Sequence, residues 1–158
     1  MKCFPYGVVG PSKILDIADS ILDEFFQIAG RLEIKACLAF GLCLGFVRDG
    51  GYIDGDNDLD VVVVIPSEEV KMTLVNELIK CGFKQGESYP MPSYNVHFYK
   101  NEILLDIYFR QQGKFYLNFD TVKYNDKTYP VPHPVEEYLG ACYSNWKVKE
   151  EQETRYYD

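Results

Sequence analysis

From Ile14 onward, apolar residues recur at helical spacing through Ile17, Ala18, Ile21, Leu22, Phe25, Ile28, Ala29 and Leu32, with Asp16, Asp19, Asp23 and Glu24 largely on the opposite face. The spacing predicts a long amphipathic helix with Ser12 as its N-cap and Gly30 near its end. The pattern then shortens. Ile34–Phe40 is a compact apolar run that predicts a buried strand closed by Gly41, and Leu42–Arg48 predicts a short helix whose first N–H groups favour an anion. Asp49, Gly50 and Gly51 predict a loop. The run Leu59–Ile65 is rich in β-branched residues and bounded by Pro66, as a central strand would be. Ser67 predicts the cap of a second helix, with Glu68 and Glu69 in its first turn and Cys81-Gly82 at its end.

Ser88–Ser93 contains Pro90 and Pro92 and predicts a loop. Tyr94–Tyr99 and Glu102–Phe109 predict two strands with Lys100-Asn101 as the turn between them. That turn would pair Tyr99 with Glu102, His97 with Leu104 and Asn95 with Asp106, setting Asn95, His97, Tyr99 and Asp106 on one face. Lys114–Phe119 and Thr121–Tyr124 are shorter strand candidates, and Asn125-Asp126 would turn the chain into Thr128–Val131. Val135–Tyr143 predicts a final helix, and residues 144–158 form a polar tail. Helices and strands alternate without a strict βαβ rhythm. The predicted fold is therefore α+β, a mixed β-sheet flanked by helices in a single domain over residues 1–158.

Composition narrows the functional classes. A length of 158 residues with 13 Tyr and 10 Phe supports a real core. A net charge of −8 argues against a nucleic-acid backbone as main partner, because phosphate neutralisation needs clustered Lys and Arg. The five cysteines (Cys3, Cys37, Cys43, Cys81, Cys142) are scattered and lack a C-x-x-C pair, which suits reduced thiols. Pro5 and Gly7 interrupt the first ten residues, so no secretory signal is expected, and no apolar run is long enough for a membrane span. The expected location is cytoplasmic.

The chemistry concentrates between Gly41 and Asp60. Asp54, Asp56, Asp58 and Asp60 crowd like charge just ahead of an apolar strand, an arrangement a multivalent cation would relieve. Asp58 and Asp60 stand at i and i+2 on a strand, so both carboxylates face one side. Asp106 interrupts the apolar run Ile103–Phe109 and is the expected third ligand, since a lone buried carboxylate is costly. Three carboxylates holding a hard cation against phosphate oxygens make a phosphoryl-transfer arrangement. Two alternatives are a solvated acidic turn and a calcium loop; the latter fails because its sixth position is Leu59 and its twelfth Ile65. Arg48, near the anion-favouring helix start, is either a phosphate contact or the partner of a nearby aspartate. His97 is either a general base or substrate contact, or a hydrogen-bonded histidine of the sheet. His133, between prolines, is expected at the surface.

These residues resemble a known family. Gly41, Leu44, Gly45, Arg48, Ile53, Asp56, Asp58 and Asp60 match without a gap the signature of LicD-type phosphotransferases and the fukutin group, a branch of the polymerase-β-like nucleotidyltransferase superfamily. Leu104–Tyr108 resembles that family's later strand with the third carboxylate. Val131-Pro132, Glu136–Leu139, Tyr143 and Trp146 resemble its closing pattern. The family's Thr after the first Gly is Leu42 here, its Pro is Asp54, and its Gly after the late Tyr is Ser144. The resemblance implies transfer of a phospho-alcohol from a CDP-activated donor to a glycan or small hydroxyl acceptor. The wider superfamily implies transfer of a nucleoside monophosphate from an NTP, and a weakened nucleotide- or metal-binding module is the alternative outside enzymes. By resemblance, Asp58, Asp60 and Asp106 are catalytic and hold the metal, Mg²⁺ or Mn²⁺. Gly41, Leu42, Gly45 and Arg48 lie at the phosphate end, and Asp56 either contacts substrate or supports the metal ligands from behind; His97 is a candidate substrate contact from its place on the sheet, not from the resemblance.

Overall fold

The computed structural model describes residues 11–53, 58–88 and 95–149. Asp54 and Asp56 lie outside the described residues, as do residues 1–10, 89–94 and 150–158, so most of the loop expected over Ser88–Ser93 falls outside them too. Helix α1 spans Pro11–Arg31. Its first residue is a proline, which costs little at a position where the N–H has no helical partner. Ser12, expected as the cap, is therefore inside the helix. Gly30 is also inside it, and the chain leaves through Glu33 at φ 57, with the Ile34 N–H donating to the Ala29 carbonyl at 2.9 Å.

Strand β1 (Lys35–Leu38) stops before Phe40, which the apolar pattern had placed in the strand. Phe40 instead starts helix α2 (Phe40–Leu44), which continues as a π-helical turn over Gly45–Asp49. Strand β2 is Asp58–Val64 and helix α3 is Glu68–Lys80, with Ser67 Oγ accepting from the Val70 N–H at 3.3 Å as the sequence predicts. Lys84–Ser88 forms β3, a strand that its polar composition did not announce. Then come β4 (Asn95–Lys100) and β5 (Ile103–Arg110). Lys114–Asn118 is turn rather than strand. Strands β6 (Phe119–Tyr124) and β7 (Lys127–Pro132) pair as a separate ribbon, and α4 spans Val135–Cys142.

The main sheet has five strands in the order β1-β2-β5-β4-β3. Only the β2–β5 pair is parallel, so the sheet is mixed and the fold is α+β as expected. One face of these strands, with Val61, Val63, Leu105, Ile107 and Phe98, packs with α1 and α3 in the main core. Each fully buried side chain of this size contributes roughly 1.5–3 kcal/mol. The opposite face carries Cys37, Val62 and Val64 under Phe40, Tyr108, Tyr116 and Phe119.

The β4–β5 hairpin corrects the predicted register. Its turn is Asn101-Glu102, both at positive φ (51 and 68), with Lys100 opposite Ile103. Two left-handed residues match the right-handed twist of the flanking strands. Every partner moves by two, so His97 faces Asp106 and Asn95 faces Tyr108. An even shift keeps each side chain on its predicted face. No helix among the described residues is long and apolar enough to cross a membrane.

Candidate metal centre

Alternation along β2 puts Asp58 and Asp60 on the face away from α1 and α3. Across the parallel pair, Asp60 registers with Asp106 and Asp58 with Leu104. One oxygen from each of the three aspartates lies within 4.8 Å of the others. All three residues are buried, at 7, 3 and 4 % exposure for Asp58, Asp60 and Asp106. Asp106 stands on β5, an inner strand between β2 and β4.

Three carboxylates this close suppress one another's ionisation. Burial and the charge of Asp106 push the Asp58 carboxyl up to about 6, against a smaller opposing hydrogen bond with Asp60. Burial also raises Asp106, while His97, Tyr108 and Asn95 pull it back. Asp58 Oδ1 is buried without a hydrogen-bond partner. An acceptor left so costs about 1–3 kcal/mol, more if charged. A cation would supply what the fold withholds. The all-oxygen donor set fits a hard divalent ion such as Mg²⁺ or Mn²⁺, and the clustered triad can coordinate one.

Asp106 is held from both β4 and β5. Asn95 Nδ2 donates to its Oδ1 at 3.1 Å and the Tyr108 hydroxyl donates to its Oδ2 at 2.9 Å. His97 Nδ1 stands 3.2 Å from Oδ1. Burial, then the charges of Asp60 and Asp106, push the Tyr108 hydroxyl far up, so it stays protonated and remains a donor. Asn95 was expected on this face. Tyr108 was missed, although its position two residues beyond Asp106 on a strand is enough to put it on the same side.

The glycine-rich end is tied to the same strand. The Ala39 N–H donates to the Asp60 carbonyl at 3.0 Å, which holds the start of α2 beside the carboxylates. Gly41 is buried, and Leu42 is a core residue at 1 % exposure. Gly45 is required by packing: a Cβ there would lie 2.5 Å from the Gly51 carbonyl oxygen. Phe40 occupies a left-handed conformation (φ 43) that a bulky side chain rarely adopts, and its N–H donates to the Tyr138 hydroxyl at 3.0 Å. No periodicity argument flags that strain. Arg48 forks onto Asp49 at 2.7 and 2.9 Å and reaches the Trp146 carbonyl at 3.4 Å, so its aspartate-partner alternative is present. Hydrogen bonds from Arg48 hold Asp49 below the usual carboxylate range.

Outside this face, burial pushes the Cys37 thiol up to about 12 and raises Cys43 as well, which makes both inert core residues. His133 is half-exposed, with Nδ1 at 2.8 Å from Asp120.

No protein-family profile matches the chain, and no curated protein matches it in sequence. Solved structures do match. The antibiotic-resistance factor ANT(2'')-Ia, known from a solution structure, aligns with a TM-score of 0.55 at 10 % identity, over 84 % of this chain and 80 % of that one. A tRNA-processing enzyme complex aligns with a TM-score of 0.38 at 19 % identity, over 55 % of this chain and 21 % of that one. The first likeness establishes the fold alone, a distant structural similarity to nucleotidyltransferase-superfamily enzymes. It does not single out the LicD-type group, whose resemblance rests on the motif residues.

Proposed function

We propose that this protein is a metal-dependent transferase of the LicD-like type, moving a phospho-alcohol group from a CDP-activated donor to a glycan or small hydroxyl acceptor. The observation that carries the proposal is the convergence of Asp58, Asp60 and Asp106 within 4.8 Å on one buried sheet face. In this reading Asp58 and Asp60 hold Mg²⁺ or Mn²⁺ with Asp106. Held there, such a cation would supply charge neutralisation at the donor phosphates during in-line attack. Asp106 also accepts the proton of the attacking hydroxyl, and His97, beside it, contacts the acceptor. Gly41, Leu42 and Gly45 shape the turn that receives the donor phosphates, and Asp56 contacts substrate. Arg48 would contact a phosphate by exchanging it for Asp49. Most of the catalytic effect is positioning and charge compensation.

A second enzyme reading is transfer of NMP from an NTP to a small molecule or protein; a weakened nucleotide- or metal-binding module, the alternative outside enzymes, draws support from Leu42. Its side chain belongs to the hydrophobic core, so the hydroxyl that the LicD signature carries beside the donor has no counterpart there. The two enzyme readings share the carboxylates and differ in the leaving group. A panel of CDP-alcohols and NTPs with Mg²⁺ or Mn²⁺ separates them: CMP release supports the first and pyrophosphate release the second. No turnover and no thermal shift with any member of the panel would overturn both.

A further inference from the structure

We infer that Tyr108 and Asn95 are positioning residues that orient the Asp106 carboxylate for a divalent cation, one neutral donor on each oxygen. The inference rests on the reading of the three aspartates as a cation site. Its basis is a two-by-two block on one sheet face. His97 lies across from Asp106 and Asn95 across from Tyr108, so the four side chains occupy alternate rungs of the β4–β5 ladder, on one face. From those rungs Asn95 Nδ2 reaches Oδ1 at 3.1 Å and the Tyr108 hydroxyl reaches Oδ2 at 2.9 Å. Donors on both oxygens set the plane of the carboxylate. Oδ2 keeps a further lone pair for a ligand, while Oδ1 also has His97 Nδ1 at 3.2 Å.

The identity of the donors matters as much as their place. A lysine or arginine here would neutralise Asp106 and compete with the ion. A phenol and a primary amide orient the carboxylate while leaving its charge available. The Asn95 amide has one sensible orientation, since an ionised carboxylate only accepts; its NH₂ faces Asp106 and its Oδ1 is left buried without a partner. Asn95 therefore gives up one hydrogen bond to serve the carboxylate, which a residue selected only for packing would not do.

Tyr108 is itself held. Its ring meets the Phe40 ring edge-on with centroids 4.8 Å apart, and the Arg110 guanidinium lies over it at 5.6 Å. Phe40 is the strained residue at φ 43 whose N–H is bound by Tyr138. The turn beside Asp60 and the carboxylate of Asp106 are thus joined through one aromatic side chain. That connection gives the local strain at Phe40 a use.

Titration of the metal-free protein with Mn²⁺ alone, followed by electron paramagnetic resonance, tests the inference without a substrate. Tyr108→Phe keeps the ring packing and removes only the hydroxyl. It should weaken Mn²⁺ binding by about 10–100-fold, as loss of a ligand-orienting hydrogen bond does. Asn95→Leu should act in the same direction. In an Asp106→Asn background, Tyr108→Phe should cause no further loss, because the carboxylate it orients is gone. Tyr52→Phe, which strips a hydroxyl from Asp19 instead, should bind Mn²⁺ as the native protein does. Native affinity in both Tyr108→Phe and Asn95→Leu would overturn the inference, and so would an undiminished Tyr108→Phe effect in the Asp106→Asn background. If Asn95→Leu fails to fold, the Tyr108→Phe arm decides. Absence of Mn²⁺ binding by the native protein would overturn the cation reading and this inference together.

Discussion

The two faces of the central sheet are built from the same strands, residue by alternate residue, and obey different rules. On the helix-covered face, Leu59, Val61, Phe98, Leu105 and Ile107 are sealed against α1 and α3 and lack polar atoms to satisfy. On the other, Asp58, Asp60, Asn95 and Asp106 are buried almost as deeply, yet Asp58 Oδ1 and Asn95 Oδ1 have no partner. The first face gains from water exclusion in proportion to area. The second loses from it, because desolvated carboxylates repel and their pKa values rise. A sheet that stabilises itself on one side therefore carries an unresolved electrostatic cost on the other, which a bound cation would offset.

Three experiments would break or sharpen that contrast. The largest effect belongs to neighbouring residues on opposite faces of β4. Phe98→Ala should cost about 3–5 kcal/mol in urea denaturation, whereas His97→Ala should stay within about 1 kcal/mol. Equal losses would mean that the faces do not differ in kind.

The next effect is electrostatic. An unfolded aspartate titrates near 3.9, and Asp58 in the folded protein is raised to about 6. The folded state therefore binds the proton more tightly across that window. The contribution of Asp58 to the stability of the metal-free protein should be full below about pH 4 and be lost as the pH climbs through about 6. Asp58→Asn should remove a fall on the order of 1–3 kcal/mol. Mn²⁺ at neutral pH should restore stability to the native protein and not to the variant. Denaturation curves from pH 4 to 7.5, with and without the ion, check the sign directly; a native protein that gains stability over this range relative to Asp58→Asn would contradict it.

The smallest effect lies on the helix side. Ser67→Ala removes the acceptor for the Val70 N–H and should cost about 1 kcal/mol of stability. Mn²⁺ affinity should be untouched, since α3 packs behind the sheet; a changed affinity would couple the faces.

Much of this was legible in the sequence because it depends on period and local chemistry. Period two along β2 is enough to pair Asp58 with Asp60, and an aspartate inside the apolar run of β5 calls for a partner from elsewhere. Ser67 ahead of two glutamates marks a helix start without further information. Other features were out of reach. Lys84–Ser88 has a polar composition that reads as loop, yet it becomes an edge strand because β4 offers it a ladder. Phe40 continues an apolar run that reads as strand, yet it turns left-handed under the hold of Tyr138, 98 positions away. The hairpin register depended on whether Glu102 would accept a positive φ, a choice made by the twist of both strands together.

By itself, the sequence determined which faces the chemistry occupies. Alternation is a property of the extended backbone, and the two-residue register shift could not disturb it. Only the tertiary structure decided the distances. The parallel pairing of β2 with β5 brings Asp60 level with Asp106, and the Asn101-Glu102 turn sets His97 and Asn95 against Asp106 and Tyr108. The first of those contacts joins residues 46 positions apart on different strands, and the hairpin pairs are 9 and 13 positions apart. The spacing of residues within one strand carries no information about which rung of another it will meet.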